Sequence, residues 1–166
     1  MDTIITNRLS IEILSIDDHA FVFELLNSNG WIEFIGNRNI NSKKDAINYI
    51  NKILSAENYT YWVVKLKDEK IPIGIISFIK RDYLIYHDLG FAFLPKFMGR
   101  GYAYEAAKEV KATIMQNPIY FQLLATTLPH NTSSIQLLKK LGFQFEKQIE
   151  NENEILHVYS VTNGNL

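Results

Sequence analysis

Apolar positions along this chain change period several times, and each change predicts an element. Leu9, Ile11 and Ile13 alternate with Ser10, Glu12 and Leu14, as in a strand with one face buried. Ser15 and Asp18 then stand at capping-box spacing. Phe21, Val22, Leu25 and Leu26 follow at helical intervals until Asn27-Ser28-Asn29-Gly30 stops the helix. A second box, Ser42 with Asp45, opens a helix carrying Ala46, Ile50, Ile53 and Leu54 on one face. From Thr60 the pattern turns to aromatic and β-branched runs. Residues 61–66 and 73–79 read as strands joined by the polar Lys67-Asp68-Glu69-Lys70, an antiparallel hairpin. Residues 85–94 predict a further strand, ended by Pro95. Ala103, Ala106, Ala107, Val110 and Ile114 share one face of a helix that begins near Gly101 and stops at Asn117-Pro118. Residues 120–127 read as a strand and 131–141 as a short helix stopped by Gly142; residues 143–149 and 154–161 read as a last pair of strands.

This order predicts an α+β domain: a mixed, mostly antiparallel central sheet of about seven strands flanked by about four helices. No repeat, low-complexity tract or linker divides residues 1–166, so a single domain is expected. Composition agrees, with 47% hydrophobic residues in 166. A net charge of -1 removes the electrostatic reason to expect nucleic acid or an anionic membrane as partner. The absence of cysteine excludes disulfides, thiolate metal sites and a cysteinyl acyl-enzyme. The polar opening residues do not read as a signal peptide, and no apolar run reaches membrane-spanning length, so a cytoplasmic protein is expected. His19, His87, His130 and His157 lack metal-ligand spacing, so no metal is expected, and no nucleophile elbow suggests a hydrolase.

The most informative stretch is Leu94-Pro95-Lys96-Phe97-Met98-Gly99-Arg100-Gly101-Tyr102-Ala103, where a strand ends, two glycines turn the chain and an amphipathic helix begins. Helix starts leave backbone N–H groups unpaired at the positive end of the dipole, and glycines let that backbone approach a ligand closely. Such a turn suits a phosphate or pyrophosphate, with Lys96 and Arg100 adding charge. A tight turn with no ligand is the plainer alternative. The dinucleotide fingerprint needs a third glycine where Tyr104 stands, and a Walker loop needs Lys where Tyr102 stands, so neither fits.

The wider context is recognisable. Asp88-Leu89-Gly90-Phe91-Ala92-Phe93-Leu94-Pro95, running into Gly99-Arg100-Gly101-Tyr102-Ala103, resembles the pyrophosphate-binding core of the GNAT N-acetyltransferase superfamily, nearest its ribosomal-protein N-terminal acetyltransferase branch. Lys96 stands where Gln or Arg is usual in that loop. Asn131-Thr132-Ser133-Ser134, leading to Lys140-Leu141-Gly142-Phe143, is similar to the family's Asn-x-x-Ser helix. Thr6-Asn7-Arg8-Leu9 looks like the branch's opening strand, and the segment from Trp31 to Arg38 resembles one in close relatives, with Asn37 for Asp. The resemblance covers nearly the whole chain.

It implies an acetyl-CoA-dependent enzyme that acetylates an amine in a ternary complex. The acceptor is left open between a protein N-terminus, a polyamine, an amino acid and an antibiotic, and the quaternary state between monomer and homodimer. A CoA-binding sensor without turnover is the alternative. The main chain of Phe97 to Ala103 (Met98, Gly99, Gly101 and Tyr102 foremost) would hold the pyrophosphate, and Phe91, Ala92 and Phe93 would pair with the pantetheine arm. Asn131 is either a helix cap or a further CoA contact. Ser134 either bonds the previous turn's carbonyl or protonates the departing thiolate. Asp88 is a candidate general base or a strand-end charge in a salt bridge. Trp31, Phe34, Tyr61, Trp62 and Tyr83 are core aromatics or acceptor contacts, Trp31 and Phe34 foremost, with Arg38 and Glu33 then recognising a charged acceptor.

Overall fold

A computed structural model describes residues 2–164. Its strands are β1 (Ile4–Ile5), β2 (Leu9–Ile13), β3 (Tyr59–Leu66), β4 (Pro72–Ile79), β5 (Asp88–Phe93), β6 (Gln122–Thr127), β7 (Gln144–Asn151) and β8 (Glu154–Thr162). Its helices are α1 (His19–Leu26), α2 (Asn29–Phe34), α3 (Lys43–Leu54), α4 (Tyr102–Met115) and α5 (Thr132–Lys140). The strands form one sheet in the order β1-β2-β3-β4-β5-β6-β8-β7, antiparallel throughout except between β5 and β6. This is the expected mixed, mostly antiparallel sheet, with two short elements added.

Strand periodicity places the core on both faces. Trp62 and Val64 of β3 join one buried cluster with Ala106, Val110 and Ile114 of α4 and Leu138 of α5. Val63, between them, joins the other with Val22 of α1, Trp31 of α2 and Ile50 of α3. Helices α1–α3 therefore cover one face of the sheet and α4–α5 the other. Asp45 caps the start of α3 in both directions: its N–H donates to Ser42 Oγ at 3.1 Å, and its carboxylate accepts the Asn41 N–H at 2.9 Å.

The departures from expectation have local causes. Strand β1 has two residues, too few for alternation to show. Asn27-Ser28-Asn29-Gly30 stops α1 and also starts α2, with Ser28 at the cap. Ile13 and Leu54 lie on the predicted apolar faces yet stay 41% and 48% exposed, since each ends its element. Strand β5 begins at Asp88 rather than residue 85, because the Lys80 ammonium gathers the carbonyls of Arg81 and Leu84 into a loop that leaves Ile85 outside. Strand β6 begins at Gln122 because Pro118–Tyr120 forms a 3-10 turn first.

One feature of the sheet creates the site. Strands β5 and β6 share a single register pair, Asp88 opposite Leu124. Leu124 N–H donates to the His87 carbonyl at 2.9 Å, but the next donor along β6, Thr126 N–H, turns to the Asp88 carboxylate at 3.0 Å. Past that point the two strands have no ladder between them. The sheet opens there into a cleft of about 1290 Å³.

Candidate active site

The wide end of the cleft lies at the glycine turn. Residues Pro95–Phe97 form one 3-10 turn, with Phe97 N–H donating to Leu94 O at 3.0 Å and Met98 N–H to Pro95 O at 3.2 Å. Gly99 and Gly101 then adopt φ of +73° and +81°, a left-handed conformation that costs a side-chain-bearing residue about 1–2 kcal/mol. Helix α4 starts at once, its first bond running from Glu105 N–H to Gly101 O at 3.0 Å. The amides of Gly99, Arg100, Gly101, Tyr102, Ala103 and Tyr104 donate to no acceptor among the described residues. They form a run of open donors at the positive end of a fourteen-residue helix. The open run is thus shifted along the chain from the expected 97–103, because the Phe97 and Met98 amides are spent inside the 3-10 turn. Phe97 and Met98 still line the cleft, as do Tyr102 and Ala103.

The two cations expected beside this turn take other duties. Lys96 pairs with Glu24 at 3.0 Å, and neither its side chain nor that of Arg100 forms part of the cleft wall. The turn is held instead by residues far away in sequence. Thr6 Oγ1 donates to Glu105 Oε1 at 2.6 Å, Arg8 N–H to the same oxygen at 3.0 Å, and Arg8 Nε to Oε2 at 2.7 Å. Arg8 Nη1 also donates to the Arg100 carbonyl at 2.9 Å, and its guanidinium lies 4.4 Å over the Tyr102 ring. Partial burial pushes the Glu105 carboxyl up, but the bonds from Thr6 and Arg8 bring it below its ordinary value. This clamp escaped a reading of the residues alone. The available signal was an acid in the first turn of a helix, which fits the dipole whatever it touches.

Along the cleft wall, β5 presents its main chain. Leu94 N–H donates toward β4, to Ile73 O at 2.9 Å, whereas the His87 carbonyl faces β6. No register shift interrupts the ladder between β4 and β5. Alternation then turns the main-chain groups of Phe91 and Phe93 toward the opened side and gives those of Ala92 to β4. On the far wall, Asn131 caps α5: its Oδ1 accepts the Ser134 N–H at 3.2 Å and the Ser133 hydroxyl at 3.3 Å. Its Nδ2 makes no hydrogen bond among the described residues. Ser134 is half-buried on the cleft wall, and its hydroxyl likewise has no partner there; the carbonyl of the previous turn does not take it.

Asp88 sits where the strands part, 2% exposed, with Oδ2 paired to the Arg81 guanidinium and Oδ1 accepting from Thr126. Burial pushes its carboxyl above the ordinary aspartate value, against the pull of Arg81 and Thr126. Oδ2 thus holds Arg81 and Oδ1 holds Thr126, bonds that join β5 to β6 and to the segment before β5. His87, beside it in sequence, stacks on Phe78 at 4.4 Å.

Another part of the cleft wall is built from side chains. Trp31 is 6% exposed, packs in the core under α1–α3 and lines the cleft, with its indole Nε1 buried and unpartnered among the described residues. Phe34 also lines it and approaches His130 at 5.6 Å. Arg38 stands at its rim, whereas Glu33 is exposed outside the wall. Among the described residues no group of three or more His, Asp or Glu could hold a metal ion. Nor is any helix among them long and apolar enough to cross a membrane.

Comparison with known proteins bears on this arrangement. The family described as "Acetyltransferase (GNAT) domain" matches residues 8–144. The uncharacterized N-acetyltransferase YnaD of Bacillus subtilis is 29% identical over 155 residues, 91% of this chain and 90% of that protein. The structure of a GNAT-family acetyltransferase from Bacillus anthracis superposes with a TM-score of 0.81 at 27% identity, covering 97% of this chain and 98% of the other. A ribosomal-protein-S5-alanine acetyltransferase from Vibrio fischeri superposes at 0.83 with 17% identity, over 99% and 98% of the two chains, a likeness of fold.

Proposed function

Because this chain belongs to the GNAT acetyltransferase family, whose members transfer an acetyl group from acetyl-CoA, we propose that it acts by direct attack of a primary amine on the bound thioester in a ternary complex. The observation that carries this reading is the run of open amides from Gly99 to Tyr104 at the mouth of a cleft between two parted strands. Those amides suit the CoA diphosphate, as oriented donors at a helix start suit any phosphate. From there β5 extends from Phe93 back to Asp88, roughly 17 Å for five steps of a strand. The free main-chain groups of Phe91 and Phe93 would pair with the pantetheine arm, and one N–H would polarise the thioester carbonyl. Asn131 Nδ2 is a further donor on the opposite wall.

In the reaction the amine nitrogen forms a bond to the carbonyl carbon, the carbon–sulfur bond breaks, and CoA leaves as the thiolate. The amine proton passes to that thiolate, and the unpartnered Ser134 hydroxyl on the cleft wall would relay it. The amine must arrive neutral, which an α-amine with pKa near 8 does more readily than a lysine near 10.4. Asp88 is assigned to positioning: it ties β6 to β5 at the apex of the cleft and holds Arg81 at the acceptor end. Trp31, Phe34 and Arg38, which also line the cleft, would contact the acceptor. A release assay for free thiol, with acetyl-CoA and a broad panel of amines, tests the reading. Thiol release that requires an amine is the expected result; CoA binding without release from any amine would make the chain a CoA-binding protein instead.

A further inference from the structure

The acceptor end carries a charge pattern that narrows the substrate. Its wall draws Arg38 from the segment between α2 and α3, Tyr49 and Lys52 from α3, Tyr59 and Tyr61 from β3, and Arg81 from the segment between β4 and β5. Each pair shares a face by the period of its element, three residues on the helix and two on the strand. The Tyr59 and Tyr61 rings lie parallel at 6.4 Å. Burial pushes both the Tyr49 and the Tyr61 phenols up; the charge of Arg38 pulls against this at Tyr49, and that of Arg81 at Tyr61. Each phenol is thus a neutral donor beside a guanidinium.

Two carboxylates also reach the cleft, Asp88 in an ion pair and Asp45 in a helix cap. Asp45 accepts the Asn41 N–H at the cap of α3, and Asp88 accepts from Arg81 and Thr126. Arg38 and Lys52, by contrast, have no acidic partner within 4.0 Å among the described residues. A polycationic amine entering here would meet Arg38 and Lys52, both without an acidic partner, against one carboxylate, Asp45, without a cationic one. A guanidinium fork, an ammonium and phenolic hydroxyls are the donor set that holds a carboxylate or a phosphate.

We propose that the acceptor is a small amine bearing its own anion, a carboxylate or a phosphate, which Arg38 and Lys52 bind while the amine faces the thioester. The proposal rests on the transferase reading above and narrows it to amino-acid-like or phosphorylated amines, excluding polyamines and aminoglycosides. The transfer is the one already balanced: amine and acetyl-CoA give the amide and free CoA, with one proton moving from nitrogen to sulfur.

The test measures thiol release for the full-length protein with acetyl-CoA and three sets of acceptors. These are the common amino acids, phosphoethanolamine as the phosphate arm, and spermidine with an aminoglycoside as the polycations. Turnover confined to the anionic amines is expected, and the better of the first two sets identifies the anion. Arg38→Ala should raise KM for that acceptor about tenfold or more, as loss of a charge-assisted bond does, with KM for acetyl-CoA unmoved. Arg38→Glu should shift preference toward spermidine. Turnover of polycations alone, or an acceptor KM unchanged in both Arg38→Ala and Lys52→Ala, would overturn the proposal and leave the transferase reading standing. Thiol release from no amine at all would overturn both.

Discussion

The two ends of the cleft are made of different material. At the glycine turn the donors are main-chain amides, open because Gly99–Gly101 turn the chain with left-handed glycines and Tyr102–Tyr104 begin a helix. At the acceptor end the functional atoms belong to side chains from four segments, two of them, β3 and α3, with their backbone committed to the sheet and the helix. A site made of backbone recognises what all users of a cofactor share, and it tolerates exchange of its side chains. Lys96 illustrates this: it occupies the position expected to bring charge to the turn, yet it pairs with Glu24 outside the cleft. A site made of side chains recognises what is particular to one substrate, and there each exchange changes the outcome.

That contrast can be broken first at the turn. Gly101→Trp puts a side chain where φ is +81° and where even a Cβ would stand 3.3 Å from the Arg8 guanidinium. CoA affinity should fall at least about a hundredfold, or about 2.7 kcal/mol. Calorimetric titration of the variant, with circular dichroism to verify that it is folded, measures this; unchanged affinity would remove the turn from the site. Comparable in size is Asp88→Ala, which strands the Arg81 guanidinium at the apex. Urea unfolding should show a loss of about 3 kcal/mol, as for one partner removed from a buried pair. If stability holds and only the rate falls, Asp88 is a base rather than a positioning residue.

Ser134→Ala should lower kcat about tenfold or more without changing either KM, in line with loss of a proton relay. An unaltered kcat would leave the hydroxyl without a part in the reaction. The smallest expected effect sharpens the contrast from outside the cleft. Glu105→Gln weakens the clamp from Thr6 and Arg8 and should cost about 1 kcal/mol at pH 7. The native carboxyl titrates below its ordinary value, so its contribution is complete above the unfolded glutamate value of about 4.3. It is lost as pH falls through the native value, so wild type and variant should converge in urea stability on acidification. Divergence at low pH would contradict the clamp.

How far the sequence could be read follows the same division. Strand alternation and helical spacing are local, so β3, β4, α3 and α4 were legible, and so was the turn, whose glycines carry their reason in the backbone. The parting of β5 from β6 was not, since no local pattern in either strand shows that only Asp88 and Leu124 keep register. Arg8 and Glu105 are ninety-seven positions apart, and their pairing needs the folded sheet. For Asp88, Asn131 and Ser134 the residues admitted two uses each, and only geometry showed which atoms are already engaged. Tyr49 and Arg81 carry no local signal of a role; only the fold brings them to one wall with Tyr61.

The claim beneath all of this is that the amides from Gly99 to Tyr104 receive the CoA diphosphate. Amide NMR resolves them one by one, so titration with CoA, and separately with pantetheine, which lacks the diphosphate, addresses the claim directly. Large shifts of the Gly99 and Gly101 N–H resonances with CoA, and little change there with pantetheine, are predicted. CoA that binds while those two resonances stay in place would contradict the account.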